Sequence, residues 1–105
     1  MAGSILLGEQ IWSTSGAIFY WLLDHVRIRL DYSDERIMLE EVIDNNIGIL
    51  SLDSLRAGQR EAILEAMLAV LSADVSELSR NAPNFDAVVR SLDELRTMVE
   101  LDLTS

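Results

Sequence analysis

The sequence predicts an all-α fold, a compact single-domain bundle of about four helices. Three observations lead there. Apolar residues recur at steps of three and four over most of the chain, the period of an α-helix. The connections between those stretches are short enough for neighbouring helices of a bundle. Half of the 105 residues are hydrophobic and only one is proline, a globular composition rather than a disordered one. A chain of this length makes one domain.

Residues 1–14 read as a lead-in segment. Ile5-Leu6-Leu7 is too short to classify by periodicity, and Gly3 and Gly8 interrupt it. Trp12 is expected to pack onto the domain, and Ser13, Thr14 and Ser15 are suitable N-caps for the first helix.

That first helix, about 15–30, organises the rest. At about 100° per residue, Phe19, Leu22, Leu23, Val26 and Leu30 form one broad apolar stripe. Ala17, Trp21 and Ile28 form a second stripe beside Asp24. A surface helix needs one such face, so the second is either a core contact or a surface reserved for a homodimer or another partner. Three of the six aromatic residues lie here.

The second helix, about 33–46, is expected to start at Ser33. Asp34 and Glu35 then sit in its first turn, where the helix dipole favours negative charge. It should unravel at Asn45-Asn46. Met38, Leu39, Val42 and Ile43 cluster on one side, with Asp34, Glu40, Glu41 and Asp44 opposite and Ile37 among those four carboxylates. Residues 47–52 read as a short extended or looped connection whose alternation is too brief to argue for a sheet.

The third helix, about 55–73, takes Asp53 or Ser54 as its cap and is weakened at Gly58. Between Gln59 and Ser72 only Arg60, Glu61 and Glu65 interrupt a run of small and large apolar residues, so it should be buried on most sides. Residues 73–83 form a polar connection containing Pro83, with a helical turn expected at Val75–Ser79. In the fourth helix, about 84–102 and capped by Asn84, Val88, Leu92, Leu95, Val99 and Leu103 make a clean amphipathic stripe.

Charge narrows the function. Eighteen acids against eight bases give −10, and every base is arginine. That balance disfavours nucleic acid and anionic membrane as partners and favours a basic protein. Residues 31–53 hold seven acids and one arginine, a net of −6 and over half of the excess. The longest apolar run has seven residues, against about 20 for a membrane span. The first residues lack the basic and apolar regions of a secretory signal. The expected location is the cytoplasm.

Little in the chain supports catalysis. The absence of cysteine removes disulfides, thiolate metal ligands and a cysteine nucleophile. His25 is the single histidine; it is either a general acid or base or a boundary side chain making one hydrogen bond. A calcium loop beginning at Asp31 would need glycine and glutamate where Arg36 and Val42 stand. There is no Glu-x-x-His pair of a di-iron bundle, no phosphate-binding glycine motif and no Gly-x-Ser-x-Gly elbow. The reading is non-catalytic, with no metal and no cofactor.

A short acidic helical chain without a catalytic set, carrying an acidic helix at Asp34–Asp44, resembles the small immunity proteins with which bacteria neutralise their own toxins. The resemblance is one of class and matches no family motif. It implies a stoichiometric inhibitor that occupies the active site or nucleic-acid groove of a basic toxin domain, such as a nuclease. On that reading Asp34, Glu40, Glu41 and Asp44 stand where phosphates would bind, and Ile37 anchors the contact. The alternative is a self-associating structural or adaptor subunit using Ala17, Trp21 and Ile28.

Overall fold

The segment expected to be a lead-in is a β-hairpin, and the fold is α+β rather than all-α. The computed structural model describes residues 2–30, 34–45, 47–53, 55–77 and 84–104. In chain order these form β1 (Ala2–Leu7), β2 (Gln10–Ser15), α1 (Gly16–Arg29), α2 (Asp34–Asp44), β3 (Ile49–Ser51), α3 (Ala57–Ala73), a 3-10 turn (Asp74–Glu77) and α4 (Phe85–Thr104).

The two glycines that interrupt the first apolar segment are what permit the hairpin. Gly8 takes φ +63°, a left-handed conformation, in the two-residue turn between Leu7 and Gln10. Gly3 lies where Phe19 of α1 presses against β1, and a Cβ there would fall 2.0 Å from the ring Cγ. β1 and β2 pair antiparallel with Ile5 opposite Trp12, while β3 runs parallel to β1 with Ile5 opposite Leu50, in the order β2-β1-β3. Residues 47–52, expected as a connection, therefore close a three-stranded sheet. Gly48, at φ +78°, lets the chain enter it, and its carbonyl accepts the Ser4 N–H at 2.9 Å.

The sheet has one covered face. Ile5, Leu7, Trp12 and Leu50 are buried against the helices. All five residues of the first predicted stripe of α1, Phe19, Leu22, Leu23, Val26 and Leu30, are buried with them. α3 contributes Ile63, Leu64, Met67 and Val70, and α4 contributes Leu92, Leu95 and Val99. α4 packs beneath β2, where the Trp12 indole N–H donates to the Ser91 carbonyl at 2.8 Å.

Side-chain chemistry accounts for the helix ends. Ser15 caps α1, its Oγ accepting from the Ile18 N–H at 3.4 Å. Asp53, an expected cap for α3, instead accepts the Gly8 N–H at 2.8 Å and reaches Arg60, so it ties the hairpin turn to α3. Arg56 takes the cap position without a side-chain bond. The expected roles of Asp31, Ser33, Asn46, Ser54, Ser79 and Pro83 fall outside the described residues. Among the described residues no helix is long and apolar enough to cross a membrane.

Candidate functional site

α2 lies against α1 through Leu39 and Val42, both buried, with Met38 and Ile43 partly buried beside them. The helical period then turns Asp34, Ile37, Glu41 and Asp44 outward, and all four are exposed. Ile37 is 57% exposed. Asp34, Glu41 and Asp44 carry no ion pair among the described residues.

Glu40 differs from its neighbours. It accepts from Arg36 Nε at 3.0 Å, an i,i+4 pair along the helix, and is only partly exposed. It also borders a cleft of about 310 Å3 between α1 and α2, lined by Asp24, Arg27, Glu40, Ile43 and Asp44. The Arg27 guanidinium is the cation of that cleft and donates to Asp24. This hydrogen bond raises the Arg27 pKa above its ordinary value, burial opposes the rise, and the charges of Asp24, Glu40 and Asp44 add to it. The cleft thus gathers three carboxylates, Asp24, Glu40 and Asp44, around Arg27, with Glu40 also paired to Arg36. The outer face of α2 adds the carboxylates of Asp34 and Glu41.

The second predicted surface is divided. Ala17 is exposed and Ile28 is 62% exposed, but Trp21 is partly buried against the core. Its ring also stacks on the His25 imidazole, with centroids 4.6 Å apart and planes at 36°. His25 in turn places Nδ1 3.2 Å from Asp74 Oδ2, and Arg29 Nη2 donates to Asp74 Oδ1 at 2.8 Å. Asp74 lies below the usual carboxylate range because Arg29 hydrogen-bonds its charged form, against a contribution from burial and with help from His25. This group fastens the end of α1 to the 3-10 turn. Its geometry is that of a structural clamp, and no three potential metal ligands gather there or elsewhere among the described residues.

One surface was not anticipated from the sequence. The uncovered face of the sheet presents Ile11, Ser13 and Ile49 as exposed residues, with Ser4, Leu6 and Ser51 partly exposed. None is charged. The alternation of buried Ile5 and Leu7 with Ser4 and Leu6 was the available signal, obscured because Leu6 is itself apolar.

No protein-family model, curated protein or solved structure matches the chain.

Proposed function

We propose that the protein is a non-catalytic, stoichiometric inhibitor of a basic protein, in the manner of a toxin-immunity protein, and that the outer face of α2 makes the contact. The observation that carries this reading is Ile37, exposed amid the carboxylates of Asp34, Glu41 and Asp44, none of which forms an ion pair among the described residues. An apolar anchor surrounded by like charge is poorly suited to stabilising a monomer. It is well suited to drawing in a positively charged surface and then excluding water from it. A net charge of −10 strengthens the same attraction at longer range. Glu40 contributes to the field while remaining tied to Arg36.

The target class that this charge supports is a basic groove that ordinarily receives phosphates, as in a nuclease toxin. The test is capture of partners from native lysate by the tagged protein and by its Ile37→Asp variant, with titration of the recovered partner. The reading expects a basic protein bound one to one by the parent and released by the variant, with any activity on nucleic acid suppressed in proportion to occupancy. A partner held equally well by both proteins would remove α2 from the interface. Recovery of a partner without positive charge would remove the mechanism.

A further inference from the structure

Among the described residues the outer edge of β2, away from α2, pairs with no strand, and its backbone polarity can be worked out. Ser4 donates to the Gly48 carbonyl at 2.9 Å, and the Leu6 carbonyl accepts from Leu52 at 3.1 Å. Residues 4 and 6 of β1 thus turn their backbone groups to β3, and residues 3, 5 and 7 turn theirs to β2. Their partners are Thr14, Trp12 and Gln10. The N–H and C=O groups of Ile11 and Ser13 therefore point outward from the edge.

This edge lacks the usual protections. It runs for six residues, Gln-Ile-Trp-Ser-Thr-Ser, without charge or proline. By contrast, β3 guards the opposite edge by being three residues long. At the hairpin-turn end of the sheet, Leu7, Glu9, Gln10, Met98, Leu101 and Asp102 line a pocket of about 340 Å3. Leu101 is 60% exposed there. Glu9 is exposed without an ion pair among the described residues, and Glu94, one turn before Met98 on α4, is the same.

A second copy, with the same net charge of −10, is disfavoured at this edge by like-charge repulsion. Antiparallel pairing would join Ile11 and Ser13 to their own equivalents, whose side chains all share the open face. The helices of both copies would then lie on one side. Because α4 contacts β2 from that side, the two α4 helices would approach each other beneath the joined edges. A single extended segment has no such obstruction.

We infer that the β2 edge accepts an extended segment of a basic partner as a fourth strand. The segment's backbone bonds to Ile11 and Ser13. One row of its side chains lies on the uncharged face beside Ile11. The other row places arginine or lysine over α4, stem against Met98 and Leu101 and charge near Glu9 and Glu94. Backbone pairing supplies affinity and the alternate row supplies specificity.

The probe is the peptide acetyl-Val-Thr-Arg-Val-Arg-Thr-amide, titrated into the isotope-labelled full chain while backbone amides are monitored by NMR. The expected result is saturable shifts at Ile11 and Ser13, with affinity about tenfold weaker when both arginines are glutamate. Ser13→Pro and, separately, Ile11→Pro should each keep the fold, since an outward-facing N–H on an edge strand is dispensable, and should lose the shifts. Shifts confined to residues 34–44 would overturn the inference, because the peptide would then be drawn by charge to α2 alone. So would the absence of saturable change up to about 5 mM peptide, far above the concentration at which even weak binding registers. Dimerisation of the unmodified chain abolished by Ser13→Pro would assign the edge to a second copy instead.

Discussion

Gly3 and Phe19 occupy what is nearly the same space: a Cβ added to the glycine would meet the ring Cγ at 2.0 Å. The contact joins β1 to α1 at the centre of the molecule, since Phe19 is wholly buried. The hairpin can therefore lie flat on the first helix only if one residue gives up its side chain. Gly3→Ala should cost about 1–3 kcal/mol through overpacking, read as a lower midpoint in urea unfolding. The cost should shrink in a Phe19→Ala background, where the displaced volume is available. Equal costs in the two backgrounds would mean that the strand shifts away from the helix without resistance.

Trp12 makes the other connection between sheet and helices. Its indole is 4% exposed and donates to the Ser91 carbonyl of α4. Trp12→Phe keeps most of the apolar surface but removes the donor, so the Ser91 carbonyl, inside α4, loses its second hydrogen bond and keeps the intrahelical one. The expected loss is about 0.5–1.5 kcal/mol, measured by denaturant unfolding. The α4 amides around Ser91 should also exchange hydrogen faster than those of α3. A uniform increase across both helices would place the effect in global stability rather than in the docking of α4.

These two contacts explain why the helices were legible in the sequence and the sheet was not. The stripe Phe19, Leu22, Leu23, Val26 and Leu30 repeats with the helical period and is buried throughout. In β1 the alternation is masked, because outward Leu6 is as apolar as inward Ile5 and Leu7. Gly3 and Gly8 read locally as breaks, whereas their meaning depends on Phe19 sixteen positions later and on a turn. β3, at three residues, has no period to detect. At the candidate site, helical projection alone placed Asp34, Ile37, Glu41 and Asp44 outward, but it grouped with them Glu40, which is only partly exposed and borders the cleft with α1. The i,i+4 spacing of Arg36 and Glu40 was also readable, whereas the stacking of Trp21 on His25 depends on side-chain rotamers and neighbouring packing.

The clamp at Asp74 predicts a particular pH dependence. Its folded pKa is depressed, foremost by the Arg29 hydrogen bond, so its contribution is complete above the unfolded value of about 3.9 and fades as pH falls through the folded value. Asp74→Asn should therefore be less stable than the parent at pH 6, and the gap should narrow on approaching pH 3. Urea midpoints of both proteins at the two pH values check this. A gap that stays constant would show that the carboxylate acts through its shape and hydrogen bonds, not its charge.

Within α2, the structure separates two glutamates that the sequence grouped together. Glu41 is exposed and has no ion pair among the described residues, whereas Glu40 is tied to Arg36 and borders the cleft that holds Arg27. Glu41→Lys should leave stability within about 0.5 kcal/mol of the parent, as for other surface changes. If α2 is the contact, it should slow association with a basic partner about tenfold at low salt. Because the steering acts through solvent, the difference should largely vanish near 1 M salt, where screening extends only about 3 Å. Glu40→Lys should combine slower association with a measurable loss of stability, because it removes the carboxylate that Arg36 holds and sets a second cation beside Arg27. Stopped-flow association at two salt concentrations, paired with unfolding of each variant, distinguishes these outcomes. Equal kinetics for Glu41→Lys and the parent at low salt would move the steering charge off α2.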